Sequence, residues 1–220
     1  MTTGSMGAQE GEGSASEAFW EDLYAQRAGG PGAVRPNAVL VDVAGPLPAG
    51  RALDLGCGEG GDALWLAGRG WQVTAVDVSA SVLARNAHRA ERVGLRGRID
   101  WQQHDLCRSF PAGTFDLVSA QYFQTPVEGF PRDQVLRTAA VALAPGGLLL
   151  VVDHGSVAPW SWADPDTRFP TAEQLLAALE LPDGPWQPVL LGSPERQASG
   201  PDGQSATVTD TVVAARRPAR

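Results

Sequence analysis

At 220 residues, 43% of them apolar, the chain has the size and hydrophobicity of one domain with a full core. No apolar run approaches bilayer length, and a formal charge of −8 opposes nonspecific nucleic-acid binding, which needs an excess of Lys and Arg against phosphate. All 17 basic residues are arginine, which removes lysine nucleophiles, and the 2 cysteines, Cys57 and Cys107, give neither a disulfide framework nor metal-ligand spacing.

In chain order, residues 1–15 are rich in Gly, Ser, Thr and Glu without an apolar core or basic start. They read as a disordered tail, not a secretion signal, and a cytoplasmic location is the expectation. Residues 16–220 are expected to form a single domain. Helical spacing over Glu17–Gln26 sets Phe19, Leu23 and Tyr24 on one face, and a short second helix follows at Asn37–Val43. Strands are expected at Arg51–Leu55, Gln72–Asp77, Ile99–His104, Phe115–Ala120 and Leu148–Val152. Helices fall between them at Asp62–Gly68, Ser79–Gly94 with Ser79 as N-cap, and Pro131–Leu143. Such alternation implies a parallel sheet covered by helices on both faces. Thr171 and Gln174 make a capping box before a helix to Leu179, and strands near Trp186–Glu195 and Ala206–Ala215 flank the Asp202-Gly203 turn of a hairpin. The fold class is α/β, a Rossmann-like, doubly wound sheet of seven strands, mostly parallel with a C-terminal antiparallel hairpin.

The chemistry begins at Leu53-Asp54-Leu55-Gly56-Cys57-Gly58-Glu59-Gly60-Gly61. Gly56, Gly58 and Gly61 satisfy the dinucleotide spacing G-x-G-x-x-G, which by itself leaves an NAD(P)-dependent oxidoreductase open. Asp54 decides against it, because a carboxylate beside the turn repels a pyrophosphate and suits a ligand carrying positive charge. S-adenosylmethionine, with its ammonium and sulfonium, is such a ligand. Asp77 ends the second strand, where an acid accepts ribose hydroxyls, and Asp105 follows the third, where an acid suits the adenine amine and Leu106 can cover the ring.

With ALDLGCGEGG (Ala52–Gly61), VTAVD (Val73–Asp77), HDL (His104–Leu106), FDLVSAQ (Phe115–Gln121) and LAPGGLLLVV (Leu143–Val152), the chain resembles the class I S-adenosylmethionine-dependent methyltransferases over about Ala38–Asp153. The resemblance implies S-adenosylmethionine as methyl donor and S-adenosylhomocysteine as product. It also implies a cofactor shell of Asp54, Gly56, Cys57, Gly58, Gly60, Asp77, Val78, Asp105, Leu106, Ala120 and Gln121, and an N-terminal helical cover over residues 16–45. Among its members the chain is most similar to the small tellurite-resistance and thiopurine-type enzymes. There, however, Glu195 falls near where that group has a histidine before Arg196, a departure that puts chalcogen-oxyanion methylation in question and leaves an O, N, S or chalcogen nucleophile open.

A small-molecule acceptor is expected, with no nucleic acid, no membrane and no metal, in a monomer or homodimer. The sulfonium already has a good leaving group, so the protein's main task is alignment, which supplies about 7–11 kcal/mol at best. His154, at the end of a central strand, is either a general base or a structural partner of Asp153. Tyr122 either orients the acceptor or packs, with Phe123 beside it. Trp160, together with Trp162, belongs either to an aromatic lid or to the core anchoring of the sheet edge. Arg196 either binds an anionic acceptor or lies at the rim. A module that binds the cofactor without catalysis is the alternative from another class.

Overall fold

The computed structural model describes residues 14–27, 34–161, 164, 166–182 and 184–219. The expected tail over residues 1–13, and Trp162, lie outside the described residues. Ser14 and Ala15 do not belong to a tail: the Ser14 hydroxyl accepts the Glu17 amide at 3.2 Å and opens helix α1 (Ala15–Arg27). Helix α2 (Ala38–Ala44) follows, with Leu40 and Ala44 buried.

Strand and helix then alternate through β1 (Arg51–Leu55), α3 (Gly61–Gly68), β2 (Gln72–Asp77), α4 (Ala80–Arg92) and β3 (Ile99–Gln103). The series continues through β4 (Phe115–Gln121), α5 (Arg132–Val141) and β5 (Leu143–His154). Ser79 caps α4, its hydroxyl accepting the Val82 amide at 3.2 Å. Helix α6 (Ala172–Ala178) carries the expected capping box, with Thr171 and Gln174 each accepting the other's amide.

Strands β1 to β5 are parallel, in the order β3-β2-β1-β4-β5, and β8 (Ser205–Arg216) adds antiparallel to β5. Among the described residues the sheet holds 8 strands where the sequence suggested seven. The strand expected over Trp186–Glu195 is β6 (Gln187–Gly192), ending three residues earlier, and an additional strand, β7 (Glu195–Ser199), follows it; both pair with β8. Pro194, lying in the break, has no N–H to give a ladder, although its carbonyl still accepts the Asp210 amide at 3.0 Å. Strand β5 also starts five residues before the apolar run, because Leu143 pairs with Phe115 ahead of a register shift.

Burial divides by alternation. Leu148, Leu150 and Val152 pack into the layer holding α2, α3 and α4, whereas Leu149 and Val151 pack with residues of α5 and α6. Each such side chain contributes roughly 1.5–3 kcal/mol of transfer free energy. This three-layer arrangement brings the C-terminal ends of β1 to β5 to one edge. The strand order reverses between β1 and β4, where ligands collect in open α/β sheets.

Candidate active site

The turn after β1 is built on left-handed glycines. Gly56, Gly58 and Gly60 have φ of 63°, 50° and 79°. At Gly56 a Cβ would also come within 2.7 Å of the Phe123 ring, so conformation and space both demand glycine. The Cys57 amide donates to the Val76 carbonyl at 2.9 Å and ties the turn to the end of β2; its side chain is small and buried.

Acids crowd behind and beside this turn. Asp54 is 2% exposed, and its Oδ2 has no partner. Burial, and then the charges of Asp62 and Asp77, hold its carboxyl well above the ordinary range. Asp62 accepts the Asn37 amide at 2.6 Å and the Asn37 side-chain amide at 2.7 Å, joining α3 to the start of α2. Asp77 accepts the Ser79 amide on Oδ1 at 3.0 Å. Its Oδ2 accepts the Gly58 amide at 3.0 Å and the Tyr24 hydroxyl at 3.4 Å. Burial pushes its carboxyl up as well, against those hydrogen bonds.

Above the turn lies a cavity of about 500 Å³. Gly56, Asp77, Val78, Asp105, Leu106, Gln121, Tyr122, Phe123 and His154, expected from sequence, all line it. Phe19, Trp20, Leu23 and Tyr24 of α1 close it from one side. Asp54, Cys57, Gly58, Gly60 and Ala120 are absent from the lining, and Asp54 and Ala120 are buried behind it. No arginine lines the cavity among the described residues, so its charged walls are the carboxylates Asp77 and Asp105. Gln121, 8% exposed, gives its side-chain N–H to Ser119 at 3.0 Å and leaves its carbonyl oxygen without a partner. The unmet Gln121 acceptor and the acid-lined wall, where Asp105 is paired with Arg108 at 3.5 Å from outside the lining, fit a ligand that brings donors and positive charge, as S-adenosylmethionine does; a pyrophosphate meets no arginine among the described lining residues.

At the other end of the cavity Tyr122 follows β4 with φ 51°, a left-handed conformation that is costly for a non-glycine residue and concentrated at functional sites. Its ring stacks on His154 at 4.6 Å and 28°. Its hydroxyl donates to Asp210 at 2.8 Å and accepts from Arg196 Nε at 3.1 Å, while the same Nε donates to Asp210 at 2.8 Å. Burial, and then Asp210, raise the Tyr122 phenol, so it stays protonated and what it turns to the cavity is ring surface. Arg196 is committed to Asp210 and is absent from the cavity wall, as is Trp160, which lies against Gly200 of the β7–β8 turn. His154 is not paired with Asp153: that carboxylate takes Arg132 at 2.6 Å on both oxygens, and Arg132 Nε also donates to the Phe123 carbonyl at 2.7 Å. Desolvation in the cavity wall lowers the His154 pKa, outweighing the pull of Asp210.

Sequence reasoning missed Asp62, Arg132, Phe130 and Asp210. Asp210 alone gave a signal, an acid inside the β-branched run Thr207–Val213, which in a buried strand demands a partner.

Known proteins share this frame. Residues 52–147 match the family described as "Methyltransferase domain". The chain is 32% identical over 117 residues to a ribosomal RNA small subunit methyltransferase C of Alcanivorax borkumensis, a match covering 52% of this chain and 35% of that protein. It thus spans about a third of the length of this curated relative. TehB from Haemophilus influenzae superposes with a TM-score of 0.67 at 18% identity, covering 90% of this chain and 67% of that one. The N-methyltransferase NodS from Bradyrhizobium japonicum, in complex with S-adenosylhomocysteine, gives 0.55 at 20% identity, covering 82% and 83%. Motif, strand order and matched domain agree: residues 52–147 are similar to the methyltransferase domain family, and the chain shares the fold of TehB and NodS.

Proposed function

We propose that this protein transfers a methyl group from S-adenosylmethionine to a small-molecule acceptor by in-line displacement. The observation that carries the reading is the left-handed glycine turn set among the acids of β1, β2 and the β3 end, facing a cavity that no arginine lines among the described residues. When bound, S-adenosylmethionine supplies an electrophilic methyl with a neutral thioether as leaving group. Asp77 and Asp105 are then the acceptors for its ribose hydroxyls and adenine amine, Leu106 and Val78 are apolar cover, and Gln121 offers its unpaired carbonyl. Tyr122, Phe123 and His154 form the acceptor end. The 500 Å³ cavity, covered by α1, suits a small acceptor, and the net charge of −8 favours it over a polyanionic one.

Calorimetric titration with S-adenosylhomocysteine and, separately, NADPH tests the reading. Binding of the first alone is expected. Asp105→Ala should weaken it by about 1.5–3 kcal/mol, roughly ten- to a hundredfold, the worth of a hydrogen bond to a charged group. NADPH binding without S-adenosylhomocysteine binding would refute it, and binding with no methyl transfer to any acceptor would favour a non-catalytic module.

A further inference from the structure

We infer that the acceptor is an uncharged aromatic hydroxyl compound seated against Tyr122, Phe123, Phe130 and His154. His154 takes its proton, and the Arg196–Asp210 pair is a positioning unit for Tyr122 and His154. This rests on the methyl-transfer reading above and narrows it to a substrate class.

The walls favour a planar, apolar body. Tyr122 and His154 present one stacked pair, and Phe123 and Phe130 meet edge-to-face at 5.5 Å and 72°, all on the same cavity. Aromatic faces and edges of this kind hold a ring by offset and edge contacts. Charge disfavours the anionic alternatives. Arg132 and Arg196 are committed to Asp153 and Asp210, so a carboxylate or oxyanion acceptor would find no arginine among the described lining residues and would enter a cavity whose walls carry Asp77 and the Arg108-paired Asp105. A neutral hydroxyl meets no such repulsion, but it is a weak nucleophile and needs a base.

His154 is placed for that. In the step, the acceptor oxygen forms a bond to the methyl carbon while the carbon–sulfur bond breaks with its electron pair going to sulfur. The hydroxyl proton passes to the imidazole, which later releases it to solvent. The products are an aryl methyl ether and the neutral thioether, and the positive charge of the sulfonium leaves as that proton.

Asp210 explains why the ring sits there. It is 1% exposed, lies in register with His154 across the β5–β8 ladder, and has one oxygen taken by Tyr122 and Arg196 and the other without a partner. The pair thereby fixes the Tyr122 ring that stacks on His154. It also sets opposed charges near the imidazole, Asp210 favouring and Arg196 disfavouring the imidazolium. The other groups facing His154 are Tyr122, the neutralised Asp153–Arg132 pair, and His104, Asp105 and Asp77 around the cavity.

The test uses the full chain saturated with S-adenosylhomocysteine, with the His154 ring followed by NMR through pH and assigned with His154→Gln. The probes are phenol, 2-naphthol and benzoate. A phenolic probe should shift the His154 signals and benzoate should not. The His154 titration should move to lower pH in Asp210→Asn and to higher pH in Arg196→Gln, opposite directions that a merely structural role does not produce. If one variant fails to fold, the other decides. Benzoate perturbing His154 as strongly as phenol, no response to either phenolic probe, or an unmoved His154 titration in the folded variants would overturn the inference. Failure to bind S-adenosylhomocysteine at all would instead remove the methyl-transfer reading, and is seen before any probe is added.

Discussion

At the scale of single residues, the acids behind the glycine turn work against the ligand-free fold. Asp54 Oδ2 is buried without a partner, and the neighbouring charges that act on it, Asp62 and Asp77, are both negative. A carboxyl raised in the folded state holds its proton more tightly there than in the unfolded chain. Stability therefore falls as pH rises from the ordinary carboxylate range through the raised pKa. Asp54→Asn is accordingly expected to stabilise the ligand-free protein at neutral pH by about 1 kcal/mol and to flatten this fall. It should weaken S-adenosylmethionine binding at the same time. Urea unfolding between pH 5 and 8, with and without ligand, checks it; a destabilised variant with unchanged affinity would contradict the role. Asp77 and Asp105 were legible in the sequence because the first closes β2 and the second follows β3 by two residues, and both strands could be read locally. Asp210 was not, since its hydroxyl partner Tyr122 is 88 positions away and only the β5–β8 register brings them together.

Among elements, the Asp153–Arg132 pair fastens α5 to the end of β5 and, through the Phe123 carbonyl, to the segment after β4. Asp153 is 1% exposed, so Arg132→Met leaves a buried charge alone. A loss of about 3–5 kcal/mol is expected, read as a lower urea midpoint; a loss under 1 kcal/mol would mean that the pair is solvated. The parallel half of the sheet could be read from alternation and from caps such as Ser79, whose signals lie within a few residues. The C-terminal half was read less well. The apolar run ends at Leu191, and the turn residues Gly192-Ser193-Pro194, with the missing proline N–H, divide β6 from β7. That division matters for the site, because β7 carries Arg196 out beyond the last β5 pairing and against Asp210.

For the molecule as a whole, α1 holds to the body of the fold by few polar contacts. The Ser81 amide and hydroxyl donate to Glu21 at 3.1 and 2.5 Å, the Gln103 side chain to Glu17 at 3.1 Å, and Tyr24 to Asp77. Removing the last of these in Tyr24→Phe should cost α1 about 0.5–1.5 kcal/mol of docking. The readout is faster amide exchange across α1 with exchange in β5 unchanged; equal acceleration in both would mean global destabilisation instead. Asp77 Oδ2 already receives two donors, the Gly58 amide and the Tyr24 hydroxyl. A ribose hydroxyl arriving at that oxygen must share it or displace one of them. Where Tyr24 is displaced, linkage makes the exchange reciprocal: whatever free energy a docked α1 subtracts from nucleoside affinity, a bound nucleoside subtracts from the docking of α1. On the proposed reading, one carboxylate oxygen thus makes the docking of α1 and the occupancy of the nucleoside pocket a single coupled equilibrium.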